Sequence, residues 1–236
     1  MRLDRHWQSP FCRACQDSAC PGASPHRAAS LYTCFLLDCV ALAQAVPDTD
    51  VVVLYVPQPG ATRRLREMLP VDCRLLPQQG VGIGEGTANA FGQLLAEGYQ
   101  QIVLIGSDNP TLPLDRVREA YTALDETDIV LGPAEDGGYY LIGMIRPHQG
   151  VFENVSWSTD LVAKQIHANA AGLGLIVHDI PKWYDVDTIA ELERVAAEVL
   201  ADPGHPAQNT RRQIQSWLRS GILSPPFIQS AYPPSA

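Results

Sequence analysis

Residues 101–106 (QIVLIG) form an apolar run that empties directly into Ser107-Asp108-Asn109-Pro110. A run of this kind is expected of a strand buried on both faces, the pattern of a mostly parallel sheet sandwiched between helices. The rest of the chain repeats the theme. Residues 50–56 (DVVVLYV), 73–76, 128–132, 138–143 (GYYLIG) and 175–180 read as further strands. Between them, residues 61–68, 85–97, 113–124 and 158–171 carry helical patterns, with Gly98 placed to stop the second. Leu31, Phe35, Cys39 and Leu42 recur at helical spacing in a first helix that Ser24 and Pro25 can open. Thr188-x-x-Glu191 predicts a capping box at the start of a last long helix ending near Leu200. This alternation predicts an α/β fold with one main domain. Residues 1–23 read as a divergent arm, 24–200 as the domain, and 201–236 as a linker, a short helix over 211–219 and a loose tail.

Composition narrows the partners. The formal net charge is −9, spread along the chain, with no basic stripe for a phosphate backbone, so nucleic acid is not an expected partner. An anionic substrate would need a metal ion as go-between. The most apolar stretch, residues 35–46, is broken by Asp38 and Gln44, too short and too polar for a membrane helix. The first ten residues contain no apolar h-region, and a cytoplasmic location is the expectation. Six cysteines are present, and Cys12-x2-Cys15-x4-Cys20 lacks a second ligand pair. Free thiols are therefore expected there rather than a zinc site.

Three acidic constellations are candidates for chemistry. Asp108 lies just past a strand end, where ligands gather in open α/β sheets, and Asn109-Pro110 keeps a helix from starting there. A carboxylate so placed suits Mg²⁺ or Mn²⁺, although an Asx-turn would use the same residue. The second is residues 132–140 (GPAEDGGYY), where Asp136 can orient a hydroxyl and Gly137 and Gly138 allow a tight turn and close approach of a ligand; a plain hairpin turn is the alternative. The third is residues 184–188 (YDVDT), where Asp187 is either a helix cap or a second metal ligand.

GSDNP, GPAEDGGYYLIG, WST (157–159) and YDVDT follow in order over roughly residues 30–195. Together they resemble the bacterial GT-A-like transferases of the radical-SAM/selenodomain-associated, arsenosugar-biosynthesis type. More distantly, they resemble the guanylyltransferases for molybdenum cofactor and 2-phospholactate. The resemblance implies a nucleotide-diphospho-sugar transferase-like (GT-A) sandwich with a mostly parallel central sheet. It further implies Asp108 and Asp187 as metal ligands, and a catalytic role for Asp108 and Asp136. Ser107, Gly137, Gly138, Gln79 and Glu85 would contact substrate.

The implied activity is metal-dependent transfer from a nucleotide sugar to a small-molecule acceptor. Nucleotidyl transfer to a phosphorylated acceptor, or a non-catalytic relative, are the alternatives. Two departures stand out. Where the family reads G-D-L-G-E-R, this chain has Gly82, Ile83, Gly84, Glu85 and Gly86. The family's apolar first strand and lysine-containing phosphate loop have no counterpart in residues 1–23, which contain no lysine.

Overall fold

The computed structural model describes residues 2–3 and 25–223. The Cys12/Cys15/Cys20 group, the Ser24 cap and the tail from residue 224 lie outside these. The chain folds as two compact units.

The first unit comprises residues 1–5, 43–106 and 113–184 and holds every described strand. Strands β1 (Arg2–Leu3), β2 (Val52–Tyr55) and β3 (Arg74–Pro77) form a parallel sheet in the order β1-β2-β3. Strands β4 (Ile102–Ile105), β5 (Ile129–Pro133), β6 (Tyr139–Met144) and β7 (Val177–Asp179) form a second sheet in the order β4-β6-β5-β7. Here β5 and β7 are parallel, and β6 runs against both β4 and β5. The reversal has a local cause: residues 134–138 close a hairpin, with Gly137 N–H donating to the Ala134 carbonyl (3.3 Å) and Ala134 N–H to the Gly138 carbonyl (3.0 Å).

Ile129, Leu131 and Ile142 are fully buried in one apolar cluster, each contributing about 1.5–3 kcal/mol by leaving water. The same apolar cluster takes in Leu54 and Leu76 from the first sheet. It also takes in Phe91 and Leu94 from the helix Gly82–Ala96, and Ile166 from the helix Val162–Gly172.

In chain order the helices are α1 (Pro25–Gln44), α2 (Ala61–Met68), α3 (Gly82–Ala96), α4 (Leu114–Ala123), α5 (Val162–Gly172), α6 (Ile189–Ala201) and α7 (Gln208–Arg219). Three begin elsewhere than the sequence suggests, the last being α7, which starts at Gln208, three residues ahead of Arg211. α3 starts three residues ahead of Glu85, because Gly82 and Gly84 enter its first turn and the Glu85 carboxylate reaches back to the Val81 N–H (2.8 Å). α5 starts four residues after Ser158, which adopts a left-handed φ of 65° and sits in a turn. A short 3₁₀ turn, Gln149–Phe152, has no forerunner in the sequence pattern.

The second unit comprises residues 6–42, 107–112 and 185–236. Within it, α1 buries the stripe Leu31, Phe35 and Cys39, and α6 packs with α7. The buried Asp38 carboxylate holds the start of α7. It accepts from the Asn209 N–H (3.0 Å), the Asn209 Nδ2 (2.8 Å) and the Thr210 N–H (2.8 Å).

Candidate active site

In the second unit, residues 107–112 leave the sheet and turn without forming a helix, as Asn109-Pro110 leads one to expect. Ser107 is buried, and its hydroxyl hydrogen-bonds the Tyr32 hydroxyl of α1. Asp108 is half-buried rather than held clear of the surface. Its carbonyl accepts from the Val186 N–H (3.1 Å), which ties this turn to the YDVDT segment. Carboxylate oxygens of Asp108, Asp185 and Asp187 all lie within 4.8 Å of one another. Among the described residues this is the one group of three or more His, Cys, Asp or Glu side chains able to share a cation.

Sequence reasoning misses Asp185, yet the signal is present. In extended backbone, side chains two residues apart leave on the same side, so a ligand at 187 implicates 185. The helix cap falls to Thr188, whose Oγ1 accepts from the Glu191 N–H (3.4 Å). Glu191 Oε2 returns to the N–H groups of Thr188 (2.6 Å) and Asp187 (2.7 Å). Asp187 therefore stands just ahead of the cap, its main chain fixed by the capping box and its carboxylate in the acidic trio.

Three hard carboxylate donors at this spacing fit Mg²⁺ or Mn²⁺. Beside them, Cys39 is wholly buried. Burial, then the nearby Asp108 charge, pushes its thiol far above the ordinary cysteine range, against a hydrogen bond with the Asn109 backbone.

The other expected site residues belong to the first unit. Asp136 is exposed at the β5–β6 turn, and its Oδ1 accepts from the Gly138 N–H (2.7 Å). Gly137 has φ 93°, and a Cβ there would stand 2.3 Å from the Asp160 carbonyl oxygen. The tight approach at Gly137 is thus to the chain's own backbone, and the Gly137 carbonyl accepts from the Ala163 N–H (3.0 Å).

Gln79 and Glu85 are exposed at the start of α3. The Gln79 carbonyl accepts from Asn89 Nδ2 (3.1 Å). A Cβ at Gly84 would fall 2.8 Å from the Trp157 ring, which stacks on Phe152, which in turn stacks on Phe91. The loop around Ser158 therefore touches both the α3 start, through Trp157, and the Asp136 turn, through Asp160.

This layering and strand order define an α/β protein of the nucleotide-diphospho-sugar transferase fold. A solved structure from Desulfovibrio desulfuricans G20, assigned to the nucleotide-diphospho-sugar transferases, superposes with a TM-score of 0.78 at 26% identity, covering 89% of this chain and 88% of that one. CMP:2-keto-3-deoxy-manno-octonic acid synthetase complexed with CTP shares the fold at a TM-score of 0.51 and 11% identity, over 71% of this chain and 88% of that one. Phosphoenolpyruvate guanylyltransferase from Sphaerobacter thermophilus is 27% identical over 163 residues, 68% of this chain and 77% of that protein. The chain belongs to the family DUF2064, described as an uncharacterized protein conserved in bacteria, whose profile matches residues 39–159, just over half of it. Among the described residues, no helix is long and apolar enough to cross a membrane.

Proposed function

We propose that this chain is a GT-A-type transferase, of the radical-SAM/selenodomain-associated, arsenosugar-biosynthesis kind, that uses a divalent metal to handle a nucleotide-activated sugar. The observation that carries the reading is the convergence of Asp108, Asp185 and Asp187. A net charge of −9 and the absence of lysine from residues 1–23 leave an ion as the natural source of positive charge for a diphosphate. Mg²⁺ or Mn²⁺ on the three carboxylates would supply that charge to the leaving group.

The chain's own residues do the rest. The Tyr32–Ser107 hydrogen bond fixes the turn that carries Asp108, and the Thr188–Glu191 capping box fixes the backbone at Asp187. Asp136 positions a sugar or acceptor hydroxyl while holding its own turn with one oxygen. Gln79 and Glu85, at the start of α3, contact the nucleotide. Nucleotidyl transfer to a phosphorylated acceptor is the second reading, favoured by the likeness to a phosphoenolpyruvate guanylyltransferase.

The test is a melting-temperature and calorimetry series with UDP-, GDP-, CDP- and dTDP-sugars, and with GTP plus phosphoenolpyruvate. Each is measured with Mg²⁺, Mn²⁺ or EDTA, for the native sequence, Asp108→Asn and Asp136→Asn. A ligand at about a hundred times its Kd stabilises the native protein by about 2.7 kcal/mol. That gain is expected only with metal, lost in Asp108→Asn and retained in Asp136→Asn, which loses turnover instead. Without ligand, Asp108→Asn removes one charge from the trio and should leave stability unchanged or raise it by up to about 1 kcal/mol. Binding undiminished in EDTA contradicts the metal role. No shift with any nucleotide makes the chain a non-catalytic relative.

A further inference from the structure

One peptide plane in the second unit is gripped at both ends. Its carbonyl, that of Asp108, accepts from the Val186 N–H (3.1 Å). Its other end is the Asn109 N–H, which meets the sulfur of Cys39 on α1. That bond favours the thiolate form, so the backbone donates and Sγ accepts. In a trans peptide the C=O and the N–H point to opposite sides. The Asp185–Asp187 segment therefore holds the turn from one side, and α1 holds it from the other.

The grip bears directly on the acidic trio. A fixed plane restricts rotation about the Asp108 Cα–C bond, and with it the direction in which the Asp108 side chain leaves the backbone. Val186 stands between Asp185 and Asp187, so the same bond spaces Asp108 from the two other carboxylates. The residue before Asp108 is held as well, through the hydrogen bond of the Ser107 hydroxyl with that of Tyr32. Tyr32 and Cys39 are seven residues apart, two turns along one face of α1. One helix thus holds Asp108 from the side chain on one flank and from the amide on the other. Cys39 and Asn109 are both buried. A thiol suits the place, because it accepts weakly and, unlike a hydroxyl, tolerates burial with its own hydrogen unbonded.

We propose that Cys39 is a positioning residue of the acidic site: its sulfur fixes the Asp108–Asn109 peptide, and so sets the reach of Asp108 toward a divalent cation shared with Asp185 and Asp187. The inference rests on the reading that the trio holds such a cation, and adds to it a buried group outside the three ligands. Cys39 touches neither ion nor substrate; it acts through the backbone of Asp108. A carboxylate on a fixed plane does not have to be ordered when the ion arrives. Groups that orient a metal ligand in this way are worth about 10–100-fold in metal affinity.

The test is a Mn²⁺ titration of the full chain, read from the EPR signal of the free ion, for the native sequence, Cys39→Ala and Cys39→Ser. Melting temperatures are measured alongside in EDTA. Cys39→Ala removes the acceptor and should weaken Mn²⁺ binding about tenfold or more. Cys39→Ser keeps an acceptor on a shorter bond and should recover most of that loss, while melting below Cys39→Ala because it buries a hydroxyl. Opposite orders in affinity and in Tm support positioning; affinities that simply follow the melting temperatures overturn it. Exchange at the Asn109 amide should quicken in Cys39→Ala and not in Cys39→Ser, and unchanged exchange in both defeats the grip. If Cys39→Ala does not fold, Cys39→Val, which also lacks an acceptor, takes its place. Mn²⁺ bound equally by all three chains overturns this inference alone, whereas no uptake by the native chain overturns the cation reading and this inference with it.

Discussion

Asp108 and Asp136 open from similar sequence, an acidic residue in a small, turn-rich motif just past a strand, yet the structure uses them differently. At Asp136 one carboxylate oxygen closes its own hairpin on the Gly138 N–H, and the residue is exposed. At Asp108 the carboxylate is half-buried with Asp185 and Asp187 as neighbours. A turn needs one acceptor and no company. Three like charges within 4.8 Å cost energy, about 1 kcal/mol for each pair even at the dielectric of water and more when partly buried. A divalent cation placed among the three oxygens would reverse the sign of that cost, which is the difference between the two aspartates.

The contrast can be broken most forcefully at the hairpin. Gly137→Ala places a Cβ 2.3 Å from the Asp160 carbonyl oxygen at a φ of 93°, so urea unfolding should show a loss of about 2–4 kcal/mol. A loss under about 1 kcal/mol would mean that the turn and the Asp160 loop yield together, and that the hairpin is not the rigid half of the comparison.

A smaller effect of opposite sign is expected in the acidic trio. In EDTA, Asp185→Asn relieves repulsion and should leave stability unchanged or raise it by up to about 1 kcal/mol, while abolishing the stabilisation by Mn²⁺ expected of the native protein. A marked loss in EDTA would make Asp185 a structural residue like Asp136.

The smallest effect calibrates the other two. Glu97 is exposed and paired with Arg74 (Nη2–Oε1 2.8 Å), with Gln93 adding a further hydrogen bond (3.0 Å). The pairing lowers its pKa from 4.5 to about 2. Because the folded value is depressed, the pair's contribution is present above pH 4.5 and is lost as pH falls toward 2. Glu97→Gln should therefore flatten the fall of Tm between those values only slightly, since exposed pairs are screened.

Much of this is readable from side-chain pattern alone. The stripe on α1 and the run in β4 are set by apolar spacing, and the α6 start by a local capping box, all properties of neighbouring residues. What escapes depends on distant partners. The α5 start shifts because Ser158 is held in a left-handed turn while the neighbouring Trp157 packs at Gly84, a contact across 73 residues. β6 reverses because Asp136-Gly137-Gly138 forms a hairpin, which the sequence leaves open beside a ligand-contact reading. Asp185 escapes because its neighbour Asp187 looks sufficient, and nothing local in YDVDT says that both side chains meet Asp108.

The loop carrying Ser158 has a mechanical consequence. It is pinned at two glycines: the Trp157 ring occupies the space over Gly84, and the Asp160 backbone occupies the space over Gly137. Neither pin can slide without a steric collision, so the first turn of α3 and the β5–β6 hairpin are geared to one part. A displacement of either reaches the other through a few residues of loop rather than through the sheet. Gln79 and Glu85 on one side, and Asp136 on the other, thus share a common gauge, and the spacing between them is set by the size of an indole and the absence of two methyl groups.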